Sequence, residues 1–473
     1  MDMALQGGQS RVNYAFITLI VIVATIGGFM FGYDSGVING TQNGLESAFE
    51  LGSLGIGVNV GAILVGSAIG AFGAGRLADL IGRRNVMMWS AVLFLVSAIL
   101  AGAAGSSAVF IIARIIGGLG VGAASVISPV YISEVTPASI RGRLSSVQQV
   151  MIITGLTGAF VANFALARLA GGSTADFWLG YEAWRWMFWL QAIPAIIYFV
   201  ALLFIPESPR YLVVKGREEE AERVLTRLFG RDEAVRKVGE IRQSLAADQH
   251  KPRLSDLIDK TTGRIRPILW AGIGLAIFQQ FVGINVVFYY GAVLWQAVGF
   301  SEDNALQINI LSGGLSIAAC LLTIAVVDKV GRKPLLLIGS AGMAVTLAVV
   351  AYSFSTATTA ADGSVSLPGS FGLIALIAAN LYVIFFNVSW GPIMWVMLGE
   401  MFPNQIRGSA LAVAGFAQWI ANALISVSFP TLVTWPGLAV TYLGYAIFAA
   451  ISFFFVRAMV HETRGRELEQ MVG

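Results

Sequence analysis

The chain reads as an all-α membrane protein of about twelve transmembrane helices in two similar six-helix halves, and three observations predict this. Of its 473 residues, 56% are hydrophobic and only 12% charged, with a mean hydropathy of +0.76, far too apolar for a water-soluble chain of this length. Apolar stretches of about 18 to 25 residues recur along it, the length a helix needs to cross a bilayer. Two signatures occur twice, about 250 and 270 residues apart. Asp79-Leu80-Ile81-Gly82-Arg83-Arg84 returns as Asp328-Lys329-Val330-Gly331-Arg332-Lys333, and Glu134 through Arg141-Gly142 returns as Glu400 through Arg407-Gly408.

Taken in order, the apolar stretches cover roughly 14–33, 54–75, 86–104, 108–131, 145–168 and 185–205, then roughly 267–297, 305–327, 334–354, 370–398, 408–430 and 438–459. Each must be helical, because lipid offers the backbone no other partner. Basic residues alternate between the connecting loops. Arg76, Arg83, Arg84, Arg141, Arg143, Lys329, Arg332, Lys333, Arg407, Arg464 and Arg466 fall on one side, and Glu46, Glu302, Asp303 and Asp362 on the other. By the positive-inside rule both termini and the long central loop are expected in the cytoplasm. The start lacks a basic n-region and a cleavage site, so the first span is expected to stay as an anchor. The single cysteine, Cys320, lies within a span and reads as a small packing residue.

The stretch from 206 to 266 is the one long polar segment. It mixes Glu218, Glu219, Glu220 and Glu222 with Arg223, Arg227, Arg236 and Lys237, and carries Val224, Leu225 and Leu228 at helical spacing. Short amphipathic helices on the cytoplasmic surface are expected. Its interleaved signs exclude a nucleic-acid patch. The expected organisation is therefore 1–205 as the first half, 206–266 as the linker and 267–473 as the second half.

A membrane protein of two similar halves uses the seam between them, since rocking one against the other exposes a central site to each side in turn. The repeats thus point to a transporter. Asp79, Arg83, Arg84, Glu134 and Arg141, with their copies Asp328, Arg332, Glu400 and Arg407, place acids and cations around tight loops in which Gly82 lets the backbone turn. Such pairs at a seam would lock the cytoplasmic side and break when it opens; the plainer reading is that the arginines only fix topology.

Together with these repeats, Pro206-Glu207-Ser208-Pro209-Arg210 after the sixth span and Gln279-Gln280-x-x-Gly283-x-Asn285-x-x-x-Tyr289-Tyr290 in the seventh resemble the sugar porter family of the major facilitator superfamily, over nearly the whole chain. The resemblance implies the major facilitator fold and transport of a monosaccharide by alternating access. One departure is His461, where the family has proline before Glu462-Thr463.

A sugar presents hydroxyls and a fairly apolar face, so its site needs amides and an aromatic cover. Span 7 offers both, although on an ideal helix Gln279 and Asn285 lie about 120° apart and Gln280 and Asn285 about 140°. Bending at Gly283 or Gly291 would bring them together. Gly391-Pro392 in span 10 is expected to break that helix as a gate. The family's sugar-contacting positions correspond to Gln149, Gln279, Gln280, Asn285, Tyr289, Trp395, Gln418, Trp419 and Asn422. Phe31 is an apolar wall, and Asn387 stands where relatives vary. Trp390 reads as a packing or interfacial residue. Leu156 stands where some members carry a second glutamine, which leaves the preferred sugar open.

Asp34 in span 1 and Arg114 within span 4 are ions in an apolar setting, each a functional hypothesis by default. If opening separates them, the bared carboxylate takes a proton and couples it to the cycle. In the resembling family, proton-coupled members carry an acid at the position of Asp34, so symport is expected; the alternative is a permanent pair that fixes helix register. No cofactor, metal or nucleotide is expected, because the two histidines, His250 and His461, lie in polar segments and nothing resembles a phosphate-binding loop. The expected partners are a sugar, a proton and the lipid bilayer, with no nucleic acid and a monomer as the working unit, in a bacterial inner membrane. A passive facilitator and a non-transporting sugar sensor are the rival readings, the latter disfavoured by the short tail; a membrane enzyme lacks a nucleophile or metal beside Asp34.

Overall fold

A backbone in lipid must satisfy its own hydrogen bonds, and the computed structural model, which describes residues 12–137, 141–247, 254–259, 262–403 and 406–464, is helical nearly throughout. Eleven apolar segments are long enough to cross a bilayer, and the last, Ser409–Met459, comprises two helices that stop at Leu432 and restart at Leu438. The turn between them, Val433–Gly437, leaves helical geometry at Trp435 (φ −159°, ψ 126°). The described residues thus hold twelve spans. Spans 1 to 6 are Tyr14–Val37, Ser53–Ile81, Arg83–Ala103, Ser107–Val135, Arg141–Ala170 and Ala183–Leu202. Spans 7 to 12 are Pro267–Ala297, Glu302–Val330, Arg332–Ser355, a broken helix of Phe371–Val388 and Trp390–Met401, then Arg407–Leu432 and Leu438–Met459.

Three spans are interrupted, and the interruptions position the site. Span 7 stops at Phe281 and restarts at Ile284. Gly283 between them takes the left-handed conformation (φ 83°), which only glycine adopts without strain. Gly291, by contrast, lies inside the continuous helix Ile284–Ala297 and bends nothing. Span 10 breaks at Ser389 (φ −128°, ψ −91°), before Gly391-Pro392. Proline lacks an N–H, but as the third residue of the new helix Pro392 occupies a position whose N–H has no intrahelical partner, so the interruption falls upstream of it. Span 6 is interrupted at Gln191, between Ala183–Leu190 and Ala192–Leu202, and Pro194, third in the second piece, follows the same logic.

Between the halves, helices Pro209–Val214, Glu218–Phe229 and Arg231–Ala247 lie on one face of the bundle, the linker face. As the helical spacing predicts, Leu225 and Leu228 are buried, joining Ile17, Ile20, Met87 and Tyr131 in a first-half core. Leu257 instead joins the core centred on the second half, which also takes in Val37, Phe160, Trp184 and Phe188 from the first half. The repeats are also repeats in shape: Gly82 (φ 102°) and Gly331 (φ 100°) turn the chain identically between spans 2 and 3 and between spans 8 and 9.

Candidate functional site

The break in span 7 does what an ideal helix cannot. Gln279 donates to the carbonyls of Trp390 (3.0 Å) and Gly391 (3.2 Å), tying span 7 to the start of the second piece of span 10. Gln280 donates to Gln279 Oε1 at 3.2 Å, and Asn285 donates to Gln280 Oε1. From span 11, Gln418 reaches Gln279 Oε1 at 3.5 Å. Tyr382 binds the freed carbonyl of Val282 (2.7 Å), which holds the break open. The Tyr289 hydroxyl faces Asn422 and Ser35, so it spans both halves. Phe31 of span 1 lies against Trp419 of span 11, ring centroids 6.5 Å apart. Trp395 is 45% exposed, and Gln149 is half-buried in span 5.

Asn387 does not join this group. It is buried, donating to Ser316 Oγ (3.1 Å) and to Val383 O (2.9 Å), while Cys320 Sγ lies 3.7 Å from its Oδ1. Its amide joins span 10 to span 8 in this conformation, as helix-to-helix bonding does. Trp390 is fully buried and donates to Ser340 Oγ (2.9 Å) and Leu336 O (3.2 Å), a packing role and not an interfacial one. Gln148, which the sequence reading passed over, is buried with its amide against Gly28 and makes no hydrogen bond to a protein group.

Asp34 and Arg114 meet as expected. Arg114 Nη1 donates to Asp34 Oδ1 at 2.7 Å and Nη2 to the Asp34 carbonyl at 3.0 Å. Both are buried, at 0% and 1% exposure, and the guanidinium also lies 5.8 Å from the Phe188 ring centre. Asp34 Oδ2 has no hydrogen-bond partner in the protein. Removing either charge alone would strand the other in a low dielectric, which makes the pair a strong constraint.

On the face opposite the linker, the far face, the halves are clasped by groups of which the sequence reading named only Glu302, and that as a loop charge. Asn39 donates to Phe288 O (2.9 Å) and accepts from Ala292 N (2.8 Å) and Asn309 Nδ2 (3.0 Å). Gln42 donates to Tyr289 O. Asn43 donates to Gln296 and Glu302 (both 3.0 Å), and Glu302 also accepts from Ser173 N (2.7 Å) and Oγ (3.0 Å). The available signal was the run of uncharged amides, Asn39, Gln42 and Asn43, just beyond span 1.

The repeated charged residues lie on the linker face, and the pairs of Arg83 and Arg332 stay within each half. Arg83 pairs with Asp79 (2.9 Å) and Glu134 (3.1 Å), and Arg332 with Asp328 and Glu400 (both 3.0 Å). Arg84 binds the carbonyls of Leu202 and Leu203 instead of a carboxylate. The Arg141 and Arg407 side chains lie outside the described residues. Among the described side chains the clasp between the halves is on the far face, and the linker-face pairs formed by Arg83 and Arg332 brace their own halves.

Each cluster is completed by a residue pair that the sequence reading had not matched as a repeat. Glu207 accepts from Arg83 N, Arg84 N and Ser208 N, while Ser208 donates to Glu134. Glu462 accepts from Arg332 N, Lys333 N and Arg464 N, while Thr463 donates to Glu400 (2.6 Å). His461 in place of proline leaves this contact intact. The two carboxyls titrate oppositely. Burial pushes Glu207 above the ordinary glutamate value despite its backbone donors, whereas burial of Glu462 is outweighed by its backbone N–H donors, which hold it below.

With this geometry in view, comparison with known proteins agrees on the class. A family model for the sugar (and other) transporters matches residues 20–472, and the chain belongs to that family. It is 50% identical to a glucose transport protein of Synechocystis sp. over 100% of both chains. It is 37% identical to the D-xylose-proton symporter of Escherichia coli K12, over 98% of this chain and 96% of the relative. The Escherichia coli xylose transporter in its inward-open conformation superposes with a TM-score of 0.82 at 36% identity, covering 96% of this chain and 99% of that one.

Proposed function

We propose that this chain is a proton-coupled monosaccharide symporter that works by alternating access. The observation that carries the reading is the placement of the amide chain Gln279–Gln280–Asn285–Gln418 at the breaks of spans 7 and 10, on the second-half side of the seam. Amides offer both donors and acceptors to sugar hydroxyls, Trp395 and the Phe31–Trp419 pair supply apolar faces, and Tyr289 and Asn422 close the site toward the far face. Gln149 contributes from span 5. The names of the relatives, a glucose transport protein and a D-xylose-proton symporter, agree with a hexose or pentose as cargo.

Asp34 is the proton carrier and Arg114 its switch. Paired, the guanidinium neutralises the buried carboxylate; when the halves rearrange and it withdraws, a proton takes its place as the neutralising charge. Asp79, Arg83, Arg84, Glu134 and Arg141, with Asp328, Arg332, Glu400 and Arg407, form the cytoplasmic gate. The linker face is cytoplasmic, as are both termini, and the membrane is a bacterial inner membrane in which the protein works as a monomer. Residues 1–205, 206–266 and 267–473 are its two halves and the linker between them. In this arrangement the closed far face is the outside, and the protein rests inward-facing.

Binding of labelled D-glucose and D-xylose to purified protein tests the site. Saturable binding of one of them, weakened in Gln280→Ala and Asn285→Ala and unchanged in Asn387→Ala, supports it. Binding that ignores Gln280 and Asn285 refutes it.

A further inference from the structure

The loop between spans 5 and 6 folds into a small antiparallel hairpin, with Asp176 paired to Glu182 and Trp178 to Tyr181. Its two-residue tip is Leu179-Gly180, both at positive φ (57° and 77°). A turn of this kind favours asparagine, aspartate or glycine at the first tip position, and a leucine there is strained. That leucine is also 68% exposed, and Trp178 beside it is 59% exposed. A strained, exposed apolar tip calls for a partner that rewards apolar surface.

The surroundings name the partner. Trp178 stacks on Trp186 of span 6, centroids 5.2 Å apart, and Trp186 meets Trp189 edge-on at 4.9 Å. The indole N–H groups are spent on backbone carbonyls, Trp186 on Trp178 O (3.0 Å) and Trp189 on Ile99 O (3.2 Å). Below Trp189, at three- and four-residue spacing, follow exposed Ile193, Ile196 and Val200, one stripe down the outer face of span 6, with exposed Phe204 just past its end. Ala195, Tyr198 and Leu202 lie on its other face and pack into the first-half core. The stripe is the surface that span 6 shows to acyl chains, and the aromatic cluster continues it upward at the depth where amphipathic rings settle in a bilayer.

The second half has a far-face hairpin as well, Thr358–Thr359 paired with Val365–Ser366, but its tip carries Asp362, Gly363 and Ser364, with Asp362 bonded to Ser364. That hairpin is built for water. The contrast separates a feature of this one loop from a general property of far-face turns.

We infer that the hairpin 176–182 is a lipid anchor, seated in the headgroup layer of the far leaflet with Trp178 and Leu179 in contact with lipid. The inference goes beyond sugar transport and does not depend on it. It also places the anchor three residues from Ser173, whose N–H and hydroxyl hold Glu302 of the opposite half.

Site-directed nitroxide labelling tests it. The native cysteine, Cys320, is buried, so Leu179→Cys and, as the aqueous comparison, Asp362→Cys each supply one reactive thiol at an exposed position. In proteoliposomes the label at position 179 is expected to collide with oxygen several-fold more than with a water-soluble nickel chelate, relative to the label at 362. Equal nickel accessibility at the two positions overturns the inference, and so does a label at 179 shielded from both reagents, which would place the hairpin against protein. Trp178→Phe provides an independent reading. Fluorescence quenching by lipids brominated near the glycerol should fall in this variant, and quenching that persists unchanged counts against the anchor.

Discussion

Asn39→Ala should open the far face, and the size of the effect can be worked from its bonds. In the clasped state Asn39 makes three good hydrogen bonds to the second half, to Phe288 O, Ala292 N and Asn309, at 2.8–3.0 Å. When the halves part, water replaces these partners, so truncation penalises only the clasped state. At a net value of about 0.5–1.5 kcal/mol each, the loss is about 1.5–4.5 kcal/mol, and even the lower bound raises the population open to the far side about tenfold. Val293 is half-buried beside Asn39 and Glu302, and the buried Cys320 is silent. A membrane-impermeant maleimide should therefore label Val293→Cys at least about tenfold faster in the Asn39→Ala background. An unchanged labelling rate would mean that the clasp carries none of the bias between the two orientations, and the reasoning would fail.

Other outcomes follow from the same geometry. Gln280→Ala removes a donor to Gln279 and an acceptor for Asn285, and should weaken sugar binding by about 1–3 kcal/mol in a titration; an unaltered Kd would remove the amide chain from the site. Gly283→Ala forces a side chain into a left-handed conformation, at about 1–2 kcal/mol, with its Cβ 2.6 Å from the Tyr445 ring. Both thermal stability and sugar affinity should drop, and full retention of both would show that the break is not needed. Glu462, held below the ordinary value, contributes stability that is present above about pH 4.3 and lost as pH falls through its lowered value. Glu207, held above it, contributes most in its protonated form and loses that as pH rises through its raised value. The melting-temperature advantage of wild type over Glu462→Gln should shrink as pH falls below the ordinary glutamate value, while that over Glu207→Gln should grow as pH falls towards it; the reverse pattern would contradict the assigned shifts.

The spans were legible because lipid demands long apolar helices, and the repeats because two halves reuse the same turns at Gly82 and Gly331. The amide cluster was half legible. Gln279, Gln280 and Asn285 stood out as polar residues in a span and Gly283 as the place where it could bend, but only the observed break converts a wide arc into a bonded chain. Asn387 shows the limit of residue type alone, since an amide in a span serves a substrate or a neighbouring helix equally well and the choice depends on what Ser316 and Cys320 present to it. The far-face clasp escaped because its acceptors are backbone carbonyls of Phe288 and Tyr289, which leave no mark in a sequence. The linker-face ions were found as a set, but that Arg83 and Arg332 pair within their own halves was not legible, because sequence gives the sign of each partner and not which half supplies it.

The central claim is that a sugar moves with a proton carried by Asp34. Uptake of labelled glucose and xylose into proteoliposomes, with and without an inward proton gradient, tests it most directly when wild type is set beside Asp34→Asn. The account predicts gradient-driven accumulation in wild type that is lost in Asp34→Asn while sugar exchange is retained. Equilibration that ignores the gradient, or accumulation that survives in Asp34→Asn, would contradict it.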